Sequence, residues 1–424
     1  MESKRVALVS CRSPFLDGDR IYPPLGIMYL DSAIRTASPS SHVDLIDDFD
    51  QIQSRDAVSY DAIGISIMTP QRADAERIKR LARLFNPRVR TIGGGPHVKH
   101  YTNDMQHEGG WDVLVPNDGE RAVLQAIFED HPPHLINDYI GKSAGFSLIQ
   151  PPDRLRHANF LANYNYSLQG KKSTTMLTAR GCPEQCTFCE DSETTVRRTP
   201  QATVERELDE MVELGYKGVY IFDDIFAMSP SFVKPIGEAL QARGLIYRAN
   251  GQARYFTKQG DNLAKLMADT GCVEMAFGFE SGSQKILDLA QKRTTIKQNY
   301  QSVEYAQRHG INVKGFVMLG LPGETWETMQ ETEAFIRDAG MNDFQLAVYF
   351  PYRGTKIRES IEREESIDMI LTGDGLGAYG QKGGKTETVV RTDALRPCDI
   401  ELFRDYLVDK YKPKAHKPHW EKTE

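Results

Sequence analysis

Nowhere in the 424 residues does an apolar run approach the ~20 residues that a membrane-spanning helix needs. The chain opens Met1-Glu2-Ser3-Lys4-Arg5 ahead of a short strand-like run, without the apolar stretch of a signal peptide, so a cytoplasmic protein with no membrane partner is expected. Charge of one sign is also scarce: 52 Lys and Arg against 59 Asp and Glu leave −7. That excludes a surface built to coat nucleic acid, and no nucleic-acid partner is expected. There are only six cysteines. Cys11, Cys272 and Cys398 stand alone, which leaves no disulfide framework and implies a reducing compartment.

The other three cysteines are the exception to this scatter. Thr178-Ala179-Arg180-Gly181-Cys182-Pro183-Glu184-Gln185-Cys186-Thr187-Phe188-Cys189 places Cys182, Cys186 and Cys189 in one loop directly after a strand-like run. Thiolates are soft ligands that suit iron, and a tight loop turns all three sulfurs to one side, so they can hold three corners of an iron–sulfur cubane and leave the fourth iron open. A structural zinc site needs a fourth ligand, and no second CxxC or HxxxH pair is spaced to supply it. Three unrelated buried cysteines would not cluster in this way.

This CxxxCxxC pattern, with Phe188 just before the last cysteine, resembles the defining motif of the radical SAM superfamily. The resemblance implies a [4Fe–4S] cluster on Cys182, Cys186 and Cys189, with Phe188 beside the cofactors. Its open iron would chelate the amino and carboxylate groups of S-adenosylmethionine, and an electron from the cluster would cleave that molecule to a 5′-deoxyadenosyl radical. A small-molecule substrate and an electron donor such as flavodoxin or ferredoxin are implied as partners.

Residues 1–140 read as a first domain. Short apolar runs at 6–10, 43–47, 62–67, 89–95 and 113–116 alternate with helical patterns at 25–36 and 73–85, which predicts a doubly wound parallel sheet with ligands at the strands' carboxyl ends. Gly93-Gly94-Gly95 lets a ligand approach backbone, or equally serves a tight turn. His97 and His100 fall in a polar loop, where hydrogen-bonded or solvated histidines are commoner than ligands. The succession Tyr22-Pro23-Pro24-Leu25-Gly26, Gly64-Ile65-Ser66, Gly93-Gly94-Gly95-Pro96-His97 and Asn117-Asp118-Gly119-Glu120 resembles the cobalamin-binding type of Rossmann domain. The resemblance implies cobalamin as a further cofactor, with Ser66 and Gly94 among its contacts. Two departures stand out. There is no Asp-x-His-x-x-Gly to supply a lower axial histidine, which the radical SAM branch generally lacks, and Asn117-Asp118 replaces the usual Gly-Glu.

Proline pairs at 132–133 and 151–152 mark a linker over residues 141–172. From 173 to 355 strands and helices alternate again, with strand patterns before the cysteines and near 218–222, 247–251, 273–279, 313–319 and 344–350. Six βα units predict a six-stranded partial α/β barrel, with functional loops at the strands' carboxyl ends. Asp223-Asp224 ends the second strand, as a ligand acceptor or as a helix cap. Phe277-Gly278-Phe279-Glu280-Ser281-Gly282-Ser283 ends the fourth and matches the family's Gly-x-Glu-Ser-Gly-Ser segment. By resemblance Asp223 and Asp224 face the ammonium of S-adenosylmethionine, Glu280 and Ser281 its ribose and methionine parts, and Arg293 its carboxylate, although Ser281 equally suits a helix cap and Arg293 a solvated surface. Gly320, in Gly315-Phe316-Val317-Met318-Leu319-Gly320-Leu321-Pro322-Gly323-Glu324, would let the adenine lie against backbone.

Residues 356–424 form a C-terminal extension in which 373–384, with Tyr379, read as a glycine-rich lid and Trp420 lies in a basic end. No further CxxC predicts auxiliary clusters. The expected fold class is therefore α/β, an N-terminal doubly wound Rossmann-like domain followed by a six-stranded partial barrel. The expected activity is cobalamin-dependent methylation of carbon. The alternative is cobalamin-independent radical dehydration, deoxygenation or rearrangement of a polar small molecule such as an aminosugar.

Overall fold

The computed structural model describes residues 2–13, 20–52, 54–137, 149–363, 365, 369–372 and 387–413. The proposed lid with Tyr379, and Trp420, lie outside the described residues. The chain divides into two compact units, Met1–Tyr164 and Asn165–Glu424.

The first unit is built on five parallel strands, β1 (Arg5–Ser10), β2 (His42–Ile46), β3 (Ala62–Ser66), β4 (Arg90–Gly94) and β5 (Val113–Val115), in the order β2-β1-β3-β4-β5. The strands read as unbroken apolar runs because both faces are covered: Val6 and Leu8 enter one core, Ala7 and Val9 the other. Strand order reverses at β1, so the crevice at a doubly wound sheet's switch point opens between β1 and β3. Ser10, Ser66 and Gly94 end three neighbouring strands in register, with Ser10 opposite Ser66 and Ser66 opposite Gly94.

One expectation fails in this unit. His97 and His100 are not in a loop; both belong to the helix Pro96–Glu108. Gly95, at φ +97°, turns the chain straight from β4 into that helix, and Pro96 takes its first position, where no amide is needed. His97 is buried and stacks on Tyr101 with ring centroids 4.4 Å apart.

The second unit begins with β6 (Ser167–Leu168) and β7 (Lys171–Met176), followed by a small antiparallel ladder of β8 (Ala179–Arg180) and β9 (Arg197–Arg198). Then come β10 (Gly218–Ile221), β11 (Ile246–Gly251), β12 (Lys258–Asp261), β13 (Cys272–Glu280), β14 (Asn312–Leu319) and β15 (Asp343–Val348). Six of these, β7, β10, β11, β13, β14 and β15, are parallel in the order β15-β14-β13-β11-β10-β7, with β6 added antiparallel at the edge. This is the expected partial α/β barrel.

Alternation along its strands separates two faces. On β14, Val313, Val317 and Leu319 are buried in the helix-covered core, whereas Lys314, Phe316 and Met318 turn to the other face and are only partly buried. The last described strands, β16 (Ile370–Leu371) and β17 (Val390–Arg391), pair antiparallel. Val390, Leu395, Ile400 and Leu407, the latter two from the helix Pro397–Tyr411, enter the barrel core, so part of the C-terminal extension is built into it.

Candidate active site

The three clustered cysteines follow the carboxyl end of β7, in a loop gripped from several sides. Gly181 sits at φ +98°, and a β-carbon there would run into the Thr195 carbonyl, so only glycine turns the chain into the cysteine run. Cys182 N donates to Thr194 Oγ1 at 2.8 Å, and Thr194 N returns a bond to Cys182 O at 2.9 Å. Thr187 N donates to Ala290 O at 3.0 Å, and Ile357 N to Thr187 O at 3.2 Å. Glu184, between the first two cysteines, is buried and accepts from Arg254 at 2.7 Å and from the Tyr255 hydroxyl at 2.5 Å. Segments after three other strands, β11, β13 and β15, together with Thr194 of the loop itself, thus fix the cysteine loop.

The thiols are suited to a cluster. Burial pushes each of them up to about 11, and each is further influenced by a neighbouring cysteine of the trio, which places the three in one electrostatic environment. Such thiols keep their protons in water and give them up to iron. Among the described residues no three His, Cys, Asp or Glu side chains are grouped tightly enough for a single metal ion. Thiolates that each bind a separate iron of a cubane do not need that tightness.

Beside the loop lies a buried ion pair. Lys292 Nζ is 2.7 Å from Glu280 Oε1, and the side chains are each 9% exposed. Lys292 Nζ also stands 5.8 Å from the ring centre of Phe188. Burial alone would lower the lysine pKa, but Glu280 and the thiols of Cys186 and Cys189 outweigh it and hold the ammonium firmly charged. Glu280 is in the left-handed region at φ +64°, where β13 bulges against β14. Gly278 makes the pair fit: its absent β-carbon would collide with the Glu280 carboxylate and lie 3.0 Å from Lys292 Nζ.

Arg293, expected at this place, is exposed. Gln291 and Arg293 both have positive φ, at +50° and +57°, and this turn directs the preceding basic residue inward and Arg293 outward. Lys292 is the residue that the sequence reading missed.

Three further expectations need correcting. Asp223 is buried, and its carboxylate is used within the chain: Oδ1 accepts from Thr178 N at 2.6 Å and Ala179 N at 3.0 Å, while Oδ2 accepts from the Thr178 hydroxyl. Burial raises its pKa to about 7. Asp224 accepts from Gly181 N at 2.7 Å. Both aspartates therefore tether the strand-to-loop junction ahead of the cysteines, and Asp223 has no carboxylate face left for a ligand. Ser281 is fully buried, with Oγ accepting from Ser283 N at 3.1 Å and lying 3.2 Å from Thr332 Oγ1, so its hydroxyl closes a turn and does not face a ribose. At Gly320, φ +90°, the space of the missing β-carbon is taken by the C-terminal segment, with Val390 Cγ2 at 3.1 Å and Ile400 Cδ1 at 3.4 Å. The glycine accommodates protein there, where an adenine was expected. Glu324 braces the same turn through Gly320 N and is itself fully buried, which raises its carboxyl to about 8.

The barrel's other face is polar at its base and apolar toward the cysteine loop. Arg248 on β11 pairs with Glu274 on β13 at 3.0 Å and stacks over Tyr220, and Lys314 on β14 pairs with Asp343 on β15 at 3.1 Å. One step nearer the carboxyl ends lie Gly278, Phe316 and Gln345 in register, then Met318 opposite Ala347. Phe222 follows β10 and is 37% exposed. In the first unit, Ser10, Ser66 and Gly94 lie side by side at the ends of neighbouring strands. The Gly94 β-position meets nothing closer than Val115 O at 3.6 Å, so this strand end is bare backbone and short side chains.

Comparison with known proteins matches this geometry. Residues 176–336 match the family model of the radical SAM superfamily and residues 19–127 that of the B12 binding domain. The chain thus carries a radical SAM domain preceded by a B12-binding domain. Such a domain implies a [4Fe–4S] cluster and S-adenosylmethionine as cofactors, a small-molecule substrate and an external reductant. Among curated proteins it is similar to an uncharacterized methyltransferase of Pyrococcus horikoshii, 27% identical over 358 residues, covering 80% of this chain and 78% of that protein. It is also similar to cytidylyl-2-hydroxyethylphosphonate methyltransferase of Streptomyces wedmorensis, 22% identical over 366 residues, covering 73% and 68%. Its fold is shared with the radical S-adenosylmethionine methyltransferase TsrM of Kitasatospora setae, a structure with cobalamin and a [4Fe–4S] cluster bound, at TM-score 0.73, 15% identity and coverage of 98% and 94%. No helix among the described residues is long and apolar enough to cross a membrane.

Proposed function

We propose that this chain methylates a carbon atom of a small organic substrate, using cobalamin together with S-adenosylmethionine. The observation that carries the reading is the meeting of the three-cysteine loop with the Glu280–Lys292 pair in a chain that also has a B12-binding domain. Several relatives are methyltransferases by name, including those of Pyrococcus horikoshii and Streptomyces wedmorensis, which supports methylation over the dehydration alternative.

Cys182, Cys186 and Cys189 would hold the cluster, which when bound supplies the electron that cleaves S-adenosylmethionine. The protein's own share is binding and orientation. An amino-acid headgroup carries an ammonium and a carboxylate, and Glu280 and Lys292 present the opposite charge to each within one buried spot. Glu184, Asp223 and Asp224 keep the cysteine loop from shifting. Phe222, Phe316 and Met318 would flank the substrate with apolar surface, while Lys314 with Asp343 and Arg248 with Glu274 offer it both signs of charge at the barrel's base. Ser66, Gly94 and Ser10 would lie against cobalamin.

The test is direct. The protein is purified without oxygen, reconstituted with iron, sulfide and hydroxocobalamin, and desalted. A visible spectrum that retains stoichiometric cobalamin supports methyl transfer; loss of all cobalamin on desalting, with the iron–sulfur absorbance intact, rules it out.

A further inference from the structure

The Glu280–Lys292 pair is arranged with respect to the cysteines in a way that headgroup binding alone does not require. The two charges are not equivalent toward the thiols. Against the dominant effect of burial, Lys292 acts on Cys186 more strongly than Glu280 does. At Cys189 Lys292 acts and Glu280 is not among the influences. The geometry agrees: Lys292 Nζ stands 5.8 Å from the ring centre of Phe188, the residue before Cys189, so the ammonium lies beside the cysteine loop.

That orientation is constructed. Gln252, 5% exposed, donates from Nε2 to Lys292 O at 3.1 Å. Thr187, inside the cysteine loop, donates its amide to Ala290 O, in the same turn. Left-handed Gln291 and Arg293 bracket Lys292, and Lys292 N closes the turn on Leu287 O at 2.9 Å. Gly278 supplies the space in which the pair lies. Two left-handed non-glycine residues in three positions cost conformational energy and persist only where surrounding contacts impose them.

We infer that the Glu280–Lys292 pair sets the reduction potential of the cluster, with Lys292 raising it, Glu280 tempering that rise, and Gln252 acting as a positioning residue for Lys292. The inference rests on the radical SAM reading of the cysteines. One electron taken from an external reductant makes the cluster more negative by one charge. A fixed cation beside it stabilises the reduced state, and an anion beside it destabilises that state, an effect magnified where water is excluded. Removing the two partners must therefore shift the potential in opposite directions, which loss of structure would not do.

The experiment is an EPR-monitored reductive titration of the full-length, anaerobically reconstituted protein without S-adenosylmethionine, with iron and sulfide measured on each sample. Lys292→Met is expected to move the midpoint to more negative potential, Glu280→Gln to more positive potential, and Lys292→Arg to stay near wild type. Gln252→Ala is expected to shift in the direction of Lys292→Met, by less, because the charge remains and only its hold is loosened. With full cluster content in every sample, unmoved midpoints or shifts of the same sign for Lys292→Met and Glu280→Gln overturn the inference. A wild-type protein that assembles no cluster overturns both this inference and the radical SAM reading on which it rests, and the iron assay tells the two failures apart.

Discussion

Arg254, three residues past the end of β11, holds the carboxylate of Glu184 at 2.7 Å, inside the cysteine loop that follows β7. Glu184 is almost completely buried, so its charge is stable only while Arg254 and the Tyr255 hydroxyl face it. Glu184→Ala removes two charge-assisted bonds, each worth about 1.5–3 kcal/mol, at the place where the loop must stay rigid. The expected outcome is a folded protein that retains less than half the wild-type iron after reconstitution and desalting. Iron and sulfide assays beside a circular dichroism spectrum check it.

Asp223 and Glu324 make the protein's stability fall as pH rises. Burial lifts their carboxyls to about 7 and about 8 in the fold, against ordinary values near 4 in the unfolded chain. Below about pH 4 both states hold the protons; above it the unfolded chain releases them while the fold keeps them, up to about pH 7 at Asp223 and about pH 8 at Glu324. Each group then weakens the fold by up to roughly 1.4 kcal/mol per pH unit until its folded pKa is passed. Urea unfolding at about pH 5.5 and pH 8 should show a smaller drop in midpoint for Asp223→Asn and Glu324→Gln than for the wild type.

The neighbours Lys292 and Arg293 should behave differently. Lys292→Ala leaves Glu280 buried without its partner and removes the only one of the two basic side chains directed at the cysteines. Binding of S-adenosylmethionine to the reconstituted protein, measured by equilibrium dialysis, should weaken by about tenfold or more, equivalent to about 1.4 kcal/mol. Arg293→Ala should bind as the wild type does, because that side chain points to solvent.

The contrast between these two residues shows how far sequence reading reaches. The parallel strands of the two large sheets are legible to within about two residues, because short apolar runs such as 6–10 and 313–319 admit few other structures, whereas the short strands β6, β8, β9, β12, β16 and β17 carry no such run. The cysteine loop was legible from spacing alone. Which of two adjacent basic residues faces the site was not, since it depends on left-handed conformations at Gln291 and Arg293 that nothing in their side chains announces. Asp223 and Ser281 carry the polar groups a ligand would need, but whether backbone or ligand occupies them is decided by contacts such as Thr178 and Thr332, 45 and 51 residues away. Gly320 was singled out for the right reason, a missing side chain, while the group filling that space comes from a segment 70 residues further on, Val390, whose own pattern is too short to predict a core strand.

Cys182, Cys186 and Cys189 are the proposed ligands of a cluster that cleaves S-adenosylmethionine. The most direct measurement is 5′-deoxyadenosine formed by the reconstituted protein with S-adenosylmethionine and dithionite under anaerobic conditions, quantified by mass spectrometry. The wild type should form it and Cys186→Ala should reduce it to the level without protein. Undiminished formation by Cys186→Ala, or none from wild type with a full complement of iron and sulfide, would contradict the account.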